Sequence, residues 1–287
     1  MSDVVYSKAN YLRFASHKNS PSKHSSAIFQ TKKLTFPLLT QLLYGEILAI
    51  RMPTFYSLDA CQILQNQLTQ HSAEITKYDN APELDIYRFG LSFFETRFNQ
   101  YLTQQYFRQA HTHLPMMDRL CYPVSNPLRS FLQALDQAWP HGAIPQHLSN
   151  KLMMPGLIRI MHENQVFSPH QDLLNRDIPH LSEREHPQTQ LAINLYVQNF
   201  QTGGELELWD YAPDDEEANT LYTGTHDFYD RDKLPPVAAT LTPQAGELIL
   251  FQSSKVHAVK AGKGGKRIAF SCFSAFRGIN KPLTYWI

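Results

Sequence analysis

The stretch 243–276, PQAGELILFQSSKVHAVKAGKGGKRIAFSCFSAF, carries the pattern that decides the fold. Its short apolar runs are separated by turn signals, and such runs are typical of β-strands. The Gly-rich turn AGKGGK predicts that SSKVHAV and RIAFSCF pair as neighbouring strands of a hairpin. Successive side chains of a strand point to opposite faces, so each strand presents a row that can line an interior. These two rows are His257 and Val259 in the first strand, and Arg267, Ala269, Ser271 and Phe273 in the second.

The same texture extends back to about residue 151 through KLMMPGLIRIM, QLAINLYVQNF and ELELW. Several short strands separated by turns predict an antiparallel sandwich or barrel over residues 151–287. The polar segment 210–236 interrupts these strands. Long polar segments of this kind are often lids or binding loops, and otherwise they are solvated excursions. We interpret residues 210–236 as a lid insertion.

The region before these strands, residues 35–150, is predicted to be mainly helical, so the fold class is α+β. EILAIRMPTF is typical of a strand, and SLDACQILQNQLTQH of a helix that begins after Ser57. Two further helices are predicted from LSFFETRFNQYLTQQYFRQA (91–110) and from NPLRSFLQALDQAW, where Pro127 suits the first turn. Residues 1–34 are rich in Ser, Lys, His and Asn, which predicts a loosely ordered lead-in.

Composition excludes several functions. Lys+Arg and Asp+Glu both number 26, so the chain lacks the basic footprint of a nucleic-acid binder or of a protein held on an anionic membrane. No apolar stretch approaches the ~18 residues of a membrane span. The three cysteines form no CxxC pair, so neither a disulfide framework nor a thiolate zinc site is indicated. We expect a cytoplasmic protein.

A candidate metal site lies in His170-Gln171-Asp172, the single HxD triplet of the chain. The triplet alone fits a hydrogen-bonded loop histidine better than a metal ligand. However, it follows a strand-like run and precedes a polar loop, and His257 lies in a later strand. Two imidazoles and one carboxylate on one face of Fe(II) leave positions open for a 2-oxo acid and O2. We therefore predict that His170, Asp172 and His257 bind Fe(II).

Arg267 is the candidate for binding the cosubstrate. An arginine inside the apolar strand RIAFSCF is costly to bury without an anionic partner. The distal carboxylate of 2-oxoglutarate is such a partner, because a guanidinium can hold it by two hydrogen bonds. The alternative is an edge-strand arginine that points to solvent.

Five further residues are weaker candidates. Ser271 and Arg159 are predicted to contact the cosubstrate, and Arg159 equally the substrate. The alternatives are a core serine and an outward-facing arginine. Asn194 and Tyr196 alternate with apolar neighbours and are predicted to point into a substrate pocket, with a surface position as the alternative. Arg88 can reach a substrate carboxylate, or it can serve helix packing.

Residues from about 150 to 278 resemble the double-stranded β-helix, or jelly roll, of the Fe(II)/2-oxoglutarate-dependent oxygenase superfamily. The resemblance rests on His170 and Asp172, on GGELEL (203–208), on PQAGELILF (243–251), and on His257 and Arg267. Within the superfamily, LIRIMHENQVFSPHQD followed by LYVQNFQTGGELELWDY resembles the branch of small-molecule hydroxylases and carrier-independent aliphatic halogenases.

The resemblance implies an enzyme that uses Fe(II), 2-oxoglutarate and O2 to oxidise a small molecule, with release of succinate and CO2. The halogenases of that branch carry Gly where this chain has Asp172, so hydroxylation is the implied outcome. A prolyl-type protein hydroxylase and a non-catalytic metal-binding jelly roll stay open as alternatives. An AlkB-like nucleic-acid demethylase fits poorly, because RIAFSCF lacks the additional Asn and Arg expected after Arg267. The sequence gives no indication of oligomeric state or of substrate identity.

Overall fold

A computed structural model describes residues 27–78, 84–178, 182, 185–224 and 228–287. Each of the regions predicted above therefore falls partly outside the described residues. These parts are residues 1–26 of the lead-in, 79–83 of the helical region, and 179–181, 183–184 and 225–227 of the strand-rich region, the last of which belong to the 210–236 insertion.

The largest sheet has ten strands and mixes parallel with antiparallel pairs. The strands are β1 (Ile28–Gln30), β2 (Ala49–Met52), β3 (Thr76–Lys77), β4 (Ile86–Phe89), β5 (Ala143–Pro145), β8 (Leu157–Met161), β10 (Thr189–Gln198), β14 (Leu248–Gln252), β17 (Arg267–Phe276) and β18 (Leu283–Trp286). Along the sheet the order is β1-β2-β14-β10-β17-β8-β4-β3, and β18 joins β17 to β5. Two pairs, β1 with β2 and β18 with β5, are parallel. We call this the main sheet.

A second sheet has four strands in the order β13-β12-β15-β9. They are β9 (Phe167–His170), β12 (Leu206–Leu208), β13 (Ala239–Leu241) and β15 (His257–Val259). Apolar side chains of this four-stranded sheet, Leu206, Leu208 and Leu241, form one buried cluster with Ala192, Ile249 and Ala269 of the main sheet. The two sheets therefore face each other. Two short pairs complete the strands, namely β6 (His147–Leu148) with β7 (Lys151–Leu152), and β11 (Thr202–Gly203) with β16 (Gly262–Lys263).

Helices cover the other face of the main sheet. Buried leucines of the N-terminal helices, such as Leu39 and Leu64, pack in one cluster with Ile193 and Phe270 of the sheet. The α-helices are α1 (Phe36–Leu43), α2 (Leu58–Gln70), α3 (Gln100–Cys121), α4 (Pro127–Ala138), α5 (Leu174–Asp177) and α6 (Asp215–Leu221). Short 3-10 helices span Ser72–Glu74, Phe93–Thr96 and Arg231–Lys233. Within the described ranges no helix is both long and apolar enough to cross a membrane.

The predicted hairpin between SSKVHAV and RIAFSCF is wrong. In the structure β15 pairs with β12 and β9, whereas β17 pairs with β10, β8 and β18. Between them β16 pairs with β11, and the chain passes from one sheet to the other. Gly203 permits this close approach, because an added Cβ would lie 2.2 Å from the carbonyl oxygen of Ala261. A Gly-rich turn between two alternating runs therefore does not distinguish a hairpin from a connection between facing sheets.

Helix α2 begins where the sequence predicts. The Ser57 side chain accepts a hydrogen bond from the Ala60 N–H at 3.2 Å, which satisfies a donor of the first turn. Cys61, Leu64 and Leu68 are buried at helical spacing. Leu58, the first residue of the helix, is exposed and takes no part in this packing.

The helix expected over residues 91–110 is instead two helices. A 3-10 turn at Phe93–Thr96 is closed by a capping box between Ser92 and Glu95. The Asn99 side chain then accepts a hydrogen bond from the Leu102 N–H at 3.1 Å and starts α3. Apolar residues recur at helical spacing through both helices, which is why the sequence predicts a single one. Each helix has its own N-terminal cap, and the chain is therefore divided into two.

Candidate metal centre and cavity

Three potential metal ligands meet between the facing sheets. His170 ends β9 and lies directly across from His257, which begins β15. This register places the two imidazole rings 4.3 Å apart between centroids. Asp172 follows two residues after His170, and ligand atoms of the three side chains all lie within 4.8 Å of one another. The geometry is that of a three-residue metal site.

Backbone contacts fix the orientation of both imidazoles. Nδ1 of His170 lies 2.7 Å from the carbonyl oxygen of Ser168, and Nδ1 of His257 lies 3.0 Å from that of Lys255. A carbonyl only accepts, so the proton sits on Nδ1 in each ring and Nε2 keeps a lone pair. The Nε2 atoms lie 3.9 and 3.2 Å from Oδ2 of Asp172. The Nε2 atoms of both histidines, with their lone pairs, therefore lie close to the Asp172 carboxylate.

The charge states of these groups suit a divalent cation. Burial, together with the nearby His257, lowers the pKa of His170 to about 4. Burial alone would raise the pKa of Asp172, but its close contact with His257, together with the nearby His170 and Arg159, lowers that pKa to about 2. Neutral imidazole and ionised carboxylate are the forms that bind metal. A two-histidine, one-carboxylate donor set fits Fe(II).

Loop contacts hold the segment between the two ligands of the HxD triplet. The Asp172 N–H donates to the carbonyl of Ser253 at 2.9 Å. The Gln171 side chain donates from Nε2 to the carbonyl of Ser254 at 2.7 Å. The triplet is therefore attached to the chain that leads into β15 and His257.

The 210–236 insertion also contacts the triplet. The Tyr229 hydroxyl donates to Oε1 of Gln171 at 2.5 Å, and the Tyr229 N–H donates to the carbonyl of Pro169 at 2.7 Å. Arg176 donates to the same Gln171 oxygen at 3.0 Å and pairs with Asp215 of the insertion at 2.8 Å. Sequence reasoning missed these residues, and the position of Gln171 between two predicted ligands was the one available signal.

A cavity of about 180 Å³ lies beside the three ligands. Both rows of side chains identified in the sequence, from β15 and from β17, line it, and so do Asn194 and Tyr196 of β10. The insertion contributes Tyr222 and Phe228, and the rest of the wall includes Tyr78, Leu84, Ile86, Phe94, Arg97, Arg159, Met161, Phe167, Leu173, Arg176 and Asp177.

Arg267 is buried at the start of β17. Its Nη1 donates to the carbonyl of Gly204 at 3.1 Å, and its guanidinium lies 4.7 Å from the centroid of the Tyr196 ring. No acidic side chain in the described part of the chain forms an ion pair with it. A buried guanidinium in this state is a site for an anion.

The weaker candidates occupy different positions. Ser271 and Asn194 are cross-strand partners, and the Ser271 hydroxyl donates to the Asn194 side-chain oxygen at 2.6 Å. Arg159 donates from Nε to the Tyr78 hydroxyl at 3.0 Å at the cavity wall. Arg88 is buried against Glu95 at 2.7 Å and is not among the cavity-lining residues. Arg88 thus joins β4 to the 3-10 helix Phe93–Thr96, which corresponds to the packing alternative for this residue.

The overall fold is shared with two solved structures of one enzyme. They are an N-substituted L-amino acid dioxygenase from Burkholderia ambifaria AMMD, alone and in complex with α-ketoglutarate (2-oxoglutarate). The first covers 88% of this chain and 91% of its own, with a TM-score of 0.62 and 18% identity. The second covers 88% and 90%, with a TM-score of 0.61 and 18% identity. Fold and site together define the class of 2-oxoglutarate-dependent dioxygenases, which use Fe(II), 2-oxoglutarate and O2.

Within that class the family is also defined. The family model of the carrier-protein-independent halogenase WelO5 matches residues 33–286, and the chain belongs to this family. It is also 24% identical over 243 residues to the L-γ-glutamyl-L-propargylglycine hydroxylase of Streptantibioticus cattleyicolor. That match covers 82% of this chain and 87% of the relative.

Proposed function

We propose that this enzyme hydroxylates an aliphatic C–H bond of a small amino-acid derivative. The reaction consumes the substrate, 2-oxoglutarate and O2, and it yields the alcohol, succinate and CO2. One observation carries the proposal. His170, Asp172 and His257 converge in a cavity that also holds Arg267, a buried cation with no acidic partner in the described residues.

His170, Asp172 and His257 hold Fe(II) in this proposal. Both histidines bind through Nε2, since Nδ1 donates to the backbone in each ring. When bound, the iron centre supplies the activation of O2 that the protein side chains cannot provide. The chain's own contribution is to fix the three donors and to enclose the cavity against water.

Arg267 binds the distal carboxylate of 2-oxoglutarate. Its contacts with Gly204 and Tyr196 hold the guanidinium in place before the cosubstrate arrives. Ser271 lies on the same face of β17 as Arg267, with Ala269 between them, and is the second proposed cosubstrate contact. Its hydrogen bond to Asn194 orients a polar pair toward the cavity, where Asn194 and Tyr196 are proposed to contact the substrate.

We also propose that residues 151–287 form a double-stranded β-helix catalytic core. The support is the pair of facing sheets, which share a buried cluster and enclose the ligands. Residues 35–150 would then form the helical region on its outer face, although β2, β3, β4 and β5 of that region belong to the main sheet. The 210–236 insertion acts as the lid, because Tyr222 and Phe228 form part of the cavity wall.

Hydroxylation of a small molecule is favoured by two features. Asp172 is present, whereas chloride-binding relatives carry Gly at this position. The cavity of about 180 Å³ suits a small ligand under the insertion rather than a peptide-wide groove. The two relatives reported above are named for N-substituted amino acids and a γ-glutamyl dipeptide, which supports an amino-acid derivative.

A cytoplasmic location completes the proposal. All three cysteines, Cys61, Cys121 and Cys272, are free and buried. Unpaired thiols are typical of a reducing compartment.

The test is succinate formation from 2-oxoglutarate under air by enzyme loaded anaerobically with Fe(II). A library of N-substituted and γ-glutamyl amino acids serves as the substrate panel. We expect succinate that requires iron and rises with one compound, and a product heavier by one oxygen. Iron binding without succinate above the metal-free control would contradict the oxygenase and favour a binding protein.

A further inference from the structure

We infer that Arg159 binds a carboxylate of the substrate, so that the substrate class is an amino-acid derivative with a free carboxylate and an apolar side chain. The inference rests on the proposed function and deepens it. Arg267 then serves the cosubstrate alone, and the cavity contains two separate carboxylate sites.

Arg159 is held rigidly at the cavity wall. It lies in the middle of β8, which is paired with β17 on one side and β4 on the other. Its guanidinium lies 5.4 Å from the centroid of the Phe167 ring and 5.9 Å from that of Tyr78. Nε donates to the Tyr78 hydroxyl, and neither Nη group hydrogen-bonds to any described residue. Two Nη groups on a fixed plane match the geometry of a carboxylate.

The carboxylates around Arg159 already have other partners. Glu95, on the side of β4, is bound by Arg88 at 2.7 Å. Asp172 belongs to the metal site described above. The cavity's other arginines likewise have acidic partners, since Arg97 pairs with Asp177 and Arg176 with Asp215, both at 2.8 Å. Within the described cavity wall, Arg159 and Arg267 are left without an ion-pair partner.

Charge balance separates the roles of Arg159 and Arg267. Imidazole binds a metal ion in its neutral form, so Fe(II) held by the two histidines and Asp172 would carry one net positive charge. Arg267 adds a second, and the two carboxylates of 2-oxoglutarate neutralise both. The positive charge of Arg159 then remains in a partly desolvated site, where an unmatched charge is unfavourable. One substrate carboxylate neutralises it.

The surroundings of Arg159 indicate the rest of the substrate. Met161 follows two positions later on the same face of β8, and Ile86 lies across from it on β4. Phe94 and Phe228 add further apolar wall. A carboxylate next to apolar side chains matches an amino-acid derivative whose side chain is apolar.

The experiment measures binding to enzyme loaded with Fe(II) and 2-oxoglutarate in the absence of O2, by titration calorimetry. The probes are N-acetyl-L-leucine, N-acetyl-L-methionine and L-γ-glutamyl-L-norvaline, each paired with its C-terminal carboxamide. We expect at least one carboxylate to bind about 10-fold or more tightly than its carboxamide, the value of a hydrogen bond to a charged group. Arg159→Gln removes this preference, Arg159→Lys restores part of it, and neither changes the Kd of 2-oxoglutarate more than about twofold.

Arg129→Gln is the control, because Arg129 is an exposed residue of α4 that pairs with Asp118 of α3. It should retain the full preference. The inference is overturned if no carboxylate binds better than its carboxamide, or if Arg159→Gln weakens 2-oxoglutarate instead of the probe. Failure of the wild-type enzyme to bind Fe(II) and 2-oxoglutarate would overturn the proposed function as well, so the two failures are distinguishable.

Discussion

The two sheets that enclose the cavity hold their functional residues in different ways. On the main sheet, β17 is a 10-residue strand, paired with β10 along almost its whole length and with β8 over its first half. On the four-stranded sheet, β9 has 4 residues and β15 has 3. Arg267 thus begins a long strand, where it pairs with Met161 of β8, and the pairing with β10 starts at the next residue, Ile268. The metal ligands are placed by short strands together with side-chain contacts from elsewhere in the chain.

This difference indicates where the site is sensitive to change. A residue on the long ladder can be replaced with loss of its own contact alone. A residue of the HxD segment depends on Gln171, Ser253 and Tyr229, so that the metal site responds to the insertion. Variants on the two sheets should therefore affect different measured quantities.

Removal of a metal ligand should give the largest effect. In His257→Ala the Fe(II) affinity should fall by on the order of 100-fold or more, since even indirect partners of metal ligands cost 10- to 100-fold. Fe(II) titration and succinate formation measure the change, and circular dichroism checks the fold. His162→Ala, which removes an imidazole paired with Asp85 outside the cavity, should behave as wild type. Full iron affinity in His257→Ala would remove the metal assignment.

Arg267→Gln should affect the proposed cosubstrate site, which lies on the main sheet. We expect the KM for 2-oxoglutarate to rise about 30-fold or more, because a desolvated charged contact loses about 2 kcal/mol or more when one partner is removed. Fe(II) affinity should stay unchanged, since the ladder keeps the sheet in place. Lys266→Gln, next to it in sequence but outside the cavity wall, is the matched control. An unchanged KM would place the cosubstrate elsewhere.

Tyr229→Phe tests whether the insertion positions the metal ligands. Loss of the hydrogen bond to Gln171 should lower Fe(II) affinity about 10-fold while the KM for 2-oxoglutarate stays near the wild-type value. Tyr211→Phe is the control, because that hydroxyl makes no hydrogen bond within the described residues. The same iron affinity in both variants would show that the short strands suffice without the insertion.

The smallest effect is expected from Ser271→Ala. Its hydroxyl donates to Asn194 and is one polar contact among several at the cosubstrate site. A neutral hydrogen bond contributes about 0.5–1.5 kcal/mol, so the KM for 2-oxoglutarate should rise roughly two- to tenfold. Steady-state kinetics measures it. A rise as large as that of Arg267→Gln would mean that Ser271 holds the polar pair in place rather than making a single contact.

The sequence is informative where chemistry restricts the residue type. His170, Asp172 and His257 could be selected because few side chains bind Fe(II), and Arg267 because a cation in an apolar strand requires a partner. The strand β17 was predicted from an apolar run that follows a Gly-rich turn, and it spans Arg267–Phe276 as expected.

The sequence is uninformative where two different structures have the same local sequence pattern. The turn AGKGGK suits a hairpin, and the connection between sheets became visible only from the pairing of β16 with β11. The same row of residues faces the cavity in either arrangement, so the site prediction did not depend on the wrong pairing. The contact between Gln171 and Tyr229 joins residues 58 positions apart, and neither type of residue is demanded by the metal.

The anchoring of the insertion has a consequence for divergence within the family. Part of its attachment uses backbone atoms, from the Tyr229 N–H to Pro169 and from Gln171 to the carbonyl of Pro213 at 3.3 Å. The side chains that face the cavity are different ones, Tyr222 and Phe228. Both rings also contact the parts that hold the iron site, because Phe228 lies 5.8 Å from His170 and Tyr222 lies 5.3 Å from Tyr229 between ring centroids. A mutation of either ring that reshapes the cavity for a new substrate therefore also changes the surroundings of a metal ligand or of its anchor.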